Sequence, residues 1–280
     1  MQSLHRPLQF VKDVLRLREP TVKNLALDWG LLKGHHNYTK FIVLGRSRTG
    51  SNLLRGLLNA HSRVIALGEI FQNPNAIEWG MTDYPRSRSV VALYQTNPAK
   101  FLETQVFRKL PEQTLALGFK LFYYHAPSGP RNAVWAYLQN RRDVKIIHIK
   151  RHNMLRTHLS RARAERSNTW VNLSGQREDE TPLVLDYEAC LKDFVQTRQW
   201  EQDYDAFFQL HPRVEVLYEL LANNHQSEMA RLQAFLGVTP EAVRPQTHAQ
   251  AQQPLSTAIA NYAELKARFS QTPWVEFFED

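Results

Sequence analysis

The segment Gly45-Arg46-Ser47-Arg48-Thr49-Gly50-Ser51-Asn52 carries the densest anion-binding chemistry in the chain. It follows the apolar run Phe41-Ile42-Val43-Leu44, which suits a buried strand. It opens a stretch, Ser51 to His61, with Leu53, Leu54, Leu57 and Leu58 on one side of a helix. A turn between a strand and a helix offers backbone N–H groups and the positive end of the helix dipole to an anion. Gly50 permits a backbone shape that a side chain hinders. The glycine spacing is that of the Walker A loop, G-x-x-x-x-G-K-[ST]. Ser51 stands where that loop has its lysine, and Asn52 where it has the hydroxyl that holds magnesium. Arg48 inside the loop supplies instead a fork of donors suited to phosphate or sulfate. The pattern predicts an anion cradle that works without a metal. An ordinary strand–turn–helix junction is the alternative.

A second candidate lies at Val144 to Ile149, an apolar strand running straight into Lys150, Arg151 and His152. In an open α/β sheet, ligands sit beyond the carboxyl ends of the strands. Asn153 is a candidate N-cap for the following helix, Asn153 to Arg166. On it Asn153, Arg156 and Ser160 form a polar stripe, while Leu155, Leu159 and Ala162 pack inward. Arg151 and Ser160 are therefore expected to hold a second phosphate. A solvated basic helix face is the alternative. Two anion sites on one rim suggest a ligand with two separate phosphate groups.

Lys120 interrupts the apolar strand Leu117-Gly118-Phe119-Lys120-Leu121-Phe122, within a longer strand expected over 114–124. An unpaired ammonium does not face a dry core, so Lys120 is expected at the rim beside a ligand, with a strand-edge lysine reaching water as the alternative. Trp79, Tyr84, Tyr123, Tyr124 and Trp170 are aromatic candidates for a sugar or lipid site, with core packing the expected role of at least half. The lone cysteine, Cys190, excludes an intramolecular disulfide and a cysteine-based zinc cage.

The elements that must position these groups alternate between strand and helix. This implies an α/β fold, a P-loop-like, mostly parallel sheet with helices on both faces. The 280 residues are read as a single domain: an N-terminal helical segment over 1–40, then a core with C-terminal helices over 41–280. Leu8, Val11, Val14 and Leu15, then Leu25, Trp29 and Leu32, recur at helical spacing. They read as a helix pair covering the core, or as a basic amphipathic surface contacting a membrane. Residues 166–182 are polar and aperiodic, a candidate mobile lid. Residues 186–236 read as helices with one short strand, Val214 to Leu217, and the tail is helical around Leu255 to Phe269. The formal charge of +8 favours an anionic partner. No segment has the length and apolarity of a membrane span or signal peptide, and the expected location is cytoplasmic.

Arg48-Thr49-Gly50-Ser51-Asn52 resembles the 5′-phosphosulfate loop of sulfotransferases that use PAPS, 3′-phosphoadenosine 5′-phosphosulfate. Arg151 through Ser160 resembles their 3′-phosphate site. Leu57-Leu58-Asn59-Ala60-His61 with Gly68-Glu69 is similar to carbohydrate- and tyrosylprotein-type members. Gly118-Phe119-Lys120-Leu121, Asn153-Met154-Leu155-Arg156 and the stretch from Pro254-Leu255 to Asn261-Tyr262 resemble the bacterial branch acting on glycolipids and nodulation-type oligosaccharides. Asn52 departs from the usual Ser or Thr, the Arg151-to-Ser160 spacing is one longer than in the cytosolic branch, and the Arg-Lys-Gly element of that branch is not visible. His248 and Gln250 occupy its general area and receive no role.

The resemblance implies PAPS as co-substrate, held by Arg48, Thr49, Gly50, Ser51, Asn52, Arg151 and Ser160, with no metal. It implies a hydroxyl acceptor, a carbohydrate or glycolipid, and makes Glu69 the expected general base. Arg48 is the expected charge stabiliser, Lys120 is expected to touch the sulfate or the acceptor, and His61 and His125 are rival bases. Two other readings stand beside it. A P-loop kinase would need the lysine and hydroxyl that Ser51 and Asn52 replace. A non-catalytic nucleic-acid-binding protein would owe its affinity to charge alone and show steep salt dependence; no nucleic-acid signature supports it, and no nucleic-acid partner is expected.

Overall fold

The computed structural model describes residues 27, 29–81, 84–127, 132–167, 181–245 and 253–279. A five-stranded sheet has the order β3-β5-β2-β6-β7, formed by Val64–Leu67 (β3), Ala116–Phe122 (β5), Thr39–Gly45 (β2), Lys145–Lys150 (β6) and Arg213–Leu217 (β7). The β3/β5 and β6/β7 pairs are parallel, as expected where helical crossovers join the strands. A small antiparallel pair joins Gly34–His35 (β1) to Leu110–Pro111 (β4). Among the described residues no helix is long and apolar enough to cross a membrane. The chain divides into two compact units: residues up to 42 with 63–145 and 236–238, and residues 43–62 with 146–235 and 239–280.

In the first unit β5 is buried along its whole length. Gly118 lets it approach β2 closely, because a Cβ there would lie 2.3 Å from the Phe41 carbonyl oxygen. Phe71, Tyr94, Phe101 and Phe119 pack as an aromatic core with ring centroids 5.3–6.1 Å apart. Helix α2 (Arg88–Thr96) is capped by Ser87, which accepts from the Val90 N–H, and α3 (Pro98–Phe101) by Asn97, which accepts from the Lys100 N–H. Helix α4 (Ala133–Asn140) precedes β6.

In the second unit α1 (Ser51–Asn59) buries Leu54, Leu57 and Leu58. Helix α5 (Met154–Ser167) buries Leu155 and Leu159 against Phe194 of α6 (Tyr187–Phe207), with Leu265 and Phe269 of the C-terminal helices and Phe277 and Phe278. Helices α7 (Tyr218–Asn223) and α8 (His225–Leu236) follow β7, and α9 (Leu255–Ala258) and α10 (Tyr262–Phe269) precede a 3-10 helix over Pro273–Phe278. His148, buried in β6, bonds Asp205 at 2.9 Å, and Lys150 bridges Asp205 and Glu215. Burial outweighs the Asp205 hydrogen bond and pulls the His148 pKa below its ordinary 6.5. An unfolded imidazole then takes up a proton that the folded one does not, so stability present above 6.5 falls as pH drops below it. Thermal melts between neutral pH and pH about 5 are expected to show this decline, with His148→Gln flattening it.

The strand expected over 114–124 is shorter, since Thr114 turns back to the Pro111 carbonyl and residues 123–124 form a turn. The helix expected over 1–40 is not found in residues 29–40. Gly30 adopts a left-handed φ of 73°, which ends a helix, and Trp29, Leu31 and Leu32 lie exposed in turns before β1. Residues 1–26, most of the 166–182 loop, Trp170, His248 and Gln250 lie outside the described residues.

Candidate functional site

The loop from Gly45 to Gly50 leaves the carboxyl end of β2 and enters α1. Gly50 caps that helix in a left-handed conformation, φ 83°, and its carbonyl accepts the Leu54 N–H. A Cβ on Gly50 would stand 2.2 Å from the Tyr218 ring, so the loop needs glycine for both space and dihedral. Gly50→Ala is expected to abolish tight binding of a phosphate-bearing nucleotide while the helix-rich circular dichroism spectrum persists. The left-handed penalty alone is about 1–2 kcal/mol, before the clash. Calorimetry on a folded variant checks it, and wild-type affinity would contradict the cradle.

Arg48 also holds a left-handed φ, 67°. Its Nε donates to Ser160 Oγ at 2.8 Å, and its carbonyl accepts from Arg151 Nη1 at 3.2 Å. The two anion sites expected from sequence thus meet within one unit, from positions 103 residues apart. Thr49 is buried and donates to the Arg46 carbonyl at 2.8 Å, so its proton braces the loop. Ser51 is buried in the first turn of α1, and Asn52 is exposed beside it.

Asn153 caps α5 as its sequence position suggests, accepting from the Arg156 N–H at 3.0 Å. Glu219 accepts from the His152 and Asn153 N–H groups at 3.1 and 3.3 Å and fixes the turn after β6. Arg151 stacks over Tyr218, its guanidinium carbon 4.5 Å from the ring centroid. Burial lowers the Arg151 pKa from its ordinary value, yet an arginine remains charged. Its Nε is buried without a hydrogen-bond partner in the structure. A buried donor of this kind calls for an acceptor, and an anion oxygen provides one. Sequence reading missed Tyr218 and Glu219. The available signal was their place directly after a strand, beyond its carboxyl end.

Glu69 belongs to the first unit. It follows β3, which the sequence reading did not identify. Gly68 is obligatory there, since a Cβ would lie 2.6 Å from the Glu78 carbonyl oxygen. The Gly68 N–H donates to Trp79 O and its carbonyl accepts the Lys120 N–H, which anchors the residue before Glu69 on both sides. Lys120 is 2% exposed, and its Nζ donates to Glu69 Oε1 at 2.7 Å. Its partner is a carboxylate and it is buried, where the sequence placed Lys120 at the rim, touching the sulfate or the acceptor. Glu69 Oε2 lies 3.7 Å from His125 Nε2, beyond hydrogen-bond distance. The Phe122 N–H donates to His125 Nδ1 at 3.2 Å, so the lone pair that a base would use is already engaged there. This geometry disfavours His125 as a base. His61 is buried with Nε2 bonded to the Thr239 carbonyl at 2.9 Å, which makes it structural. Trp79 is buried and stacked on Tyr84 at 4.8 Å, and Tyr123 is buried; Tyr124 is exposed.

The Sulfotransferase family model matches residues 41–242. Nodulation protein H from Rhizobium tropici is 25% identical over 247 residues, covering 85% of this chain and 92% of that protein. Nodulation protein H from Rhizobium meliloti is 24% identical over 246 residues, covering 85% and 94%. A solved sulfotransferase from Alicyclobacillus acidocaldarius covers 86% of this chain and 94% of its own at 17% identity and a TM-score of 0.47. With the family model spanning most of the sequence, from β2 through the Gly45–Gly50 loop and α5 to the residues after α8, the chain belongs to the sulfotransferase family.

Proposed function

We propose that the protein transfers a sulfuryl group from PAPS to a hydroxyl of a carbohydrate or glycolipid. The observation that carries this reading is the junction of Arg48, Ser160 and Arg151, joined at 2.8 and 3.2 Å beside a left-handed Gly50. The donor set fits two phosphates: the unpartnered Arg151 Nε, the Arg48 fork, the Ser160 hydroxyl and the amides opening α1. Arg48, Thr49, Gly50, Ser51 and Asn52 would hold the 5′ end, and Arg151 and Ser160 the 3′-phosphate. PAPS supplies an activated sulfuryl group whose leaving group is already a phosphate.

In the transfer, an S–O bond forms to the acceptor oxygen and the S–O bond to the 5′-phosphate breaks. The products are a sulfate ester and adenosine 3′,5′-bisphosphate. The acceptor proton goes to Glu69 Oε2, because Oε1 is engaged by Lys120. A carboxylate has lone pairs enough for both tasks. Arg48 and the loop amides offset the charge that develops on the departing phosphate, in the manner of preorganised donors in group transfer. Lys120 orients the base and brings a positive charge beside it.

The likeness of Gly118-Phe119-Lys120-Leu121 and Asn153-Met154-Leu155-Arg156 to the bacterial glycolipid and oligosaccharide branch supports the acceptor class. Exposed Trp29 and Leu31 would suit contact with a membrane that presents such a lipid. The test is incubation with PAPS and a panel of oligosaccharides and glycolipids, followed by mass spectrometry. The expected result is a product heavier by one SO3 group with matching release of adenosine 3′,5′-bisphosphate. Absence of turnover with every sugar-bearing acceptor, alongside turnover on a phenol or peptide tyrosine, would overturn the acceptor class.

A further inference from the structure

One carboxylate on α6 ties together the two segments that carry the anion sites. Asp193 Oδ1 accepts from Arg46, two residues before Arg48 in the loop. Its Oδ2 accepts from Arg161, next to Ser160 on α5, and from His158 Nδ1 at 3.0 Å. Thr197, one turn further along α6, donates to the Asp193 carbonyl at 2.6 Å, which leaves its oxygen to accept from Arg46. The Arg46 guanidinium also lies 5.2 Å over the Trp200 ring. Arg46, Arg161 and Asp193 are all largely buried, with side-chain exposures of 11–12%. Burial raises the Asp193 carboxyl, but the His158 hydrogen bond and the Arg161 and Arg46 charges outweigh it and hold it below the usual range.

The bonds joining loop to helix fall into two kinds. The Arg48–Ser160 bond uses groups that a phosphate oxygen would compete for. The bonds to Asp193 use none of the donors assigned to the nucleotide. When Arg48 and Ser160 turn to their phosphates, the Asp193 links, together with the Arg151 Nη1 bond to the Arg48 carbonyl, continue to hold loop and helix at a fixed separation. We infer that Asp193 is a positioning residue that sets the spacing between the two anion sites, so that one nucleotide engages both at once. The inference rests on the donor-site reading above.

Two sites at a fixed spacing bind a linked pair of phosphates far better than either phosphate alone, because the second contact is intramolecular. Removing the brace should reduce that advantage and leave each single contact nearly intact. The experiment is calorimetry with adenosine 3′,5′-bisphosphate, adenosine 5′-monophosphate and adenosine 3′-monophosphate on the full chain. For wild type, the bisphosphate should bind about 10²-fold or more tightly than either monophosphate. If it does not, the donor-site reading itself fails. In Asp193→Asn the preference should shrink to about tenfold or less, with monophosphate affinities close to wild type. His158→Gln, which keeps both Asp193–arginine contacts, should retain most of the preference. A buried role in stability alone would lower the folded fraction and weaken all three ligands together, leaving the preference intact, and that result overturns the inference. Asp193→Asn strands two buried arginines and could unfold. In that event Arg46→Lys, which keeps the charge and loses the fork, decides the matter by the same ratio.

Discussion

Glu69→Gln is expected to lower kcat by about 10²–10⁴-fold, the range that a positioned general base contributes, while affinity for adenosine 3′,5′-bisphosphate stays at the wild-type value. The substitution keeps the shape of the side chain, and its amide oxygen can still accept from Lys120, which lies 2.7 Å from Glu69 Oε1. What it loses is the capacity of Oε2 to take a proton. Gly68 is anchored through Trp79 and Lys120 backbone groups that the variant leaves untouched, so the fold around it should persist. Steady-state kinetics with saturating PAPS, paired with calorimetry, separates the two effects. A variant of undiminished turnover would remove Glu69 as the base. Parallel loss of nucleotide affinity would assign it to binding instead.

Arg151→Ala should cost about 2–5 kcal/mol of bisphosphate binding, the usual penalty for truncating one side of a buried charge-assisted contact, which is about 30- to 5000-fold in affinity. The size of this effect follows from burial. The Arg151 Nε has no partner in the structure, its Nη1 holds the Arg48 carbonyl, and its guanidinium lies over the Tyr218 ring. Lysine at this position should rescue little, because an ammonium neither stacks nor donates from a planar fork. Loss of affinity for the bisphosphate without comparable loss for adenosine 5′-monophosphate would place Arg151 at the 3′ end. An equal loss for both would contradict that placement.

Much of the candidate donor site's local structure was legible in the sequence because its signals are local. The glycine spacing, the apolar run before it and the leucine stripe after it together define a strand, a loop and a helix. The strand-end arginine and the Asn153-Arg156-Ser160 stripe did the same for the second site. Contacts across long sequence separations were not legible. That a lysine in the apolar stretch around Phe119 required a partner could be argued from its charge; that the partner is Glu69, 51 residues earlier, could not. β3 has four residues and no polar alternation, so nothing marked it, although it delivers Gly68 and Glu69. Tyr218 and Asp193 do their work through contacts with Gly50 and with Arg46, and neither has a motif of its own. The N-terminal helical pattern was misleading at Trp29 and Leu32, because Gly30 turns the backbone there regardless of the apolar spacing around it.

The account stands on one nucleotide joining the two arginine-bearing ends of the second unit. A crystal structure of the protein soaked in adenosine 3′,5′-bisphosphate tests this directly. The expected density places one phosphate on the amides of Gly50 and Ser51 with Arg48 beside it, and the other between Arg151 and Ser160. A bisphosphate bound through only one of these ends, with the other group in solvent, would contradict it.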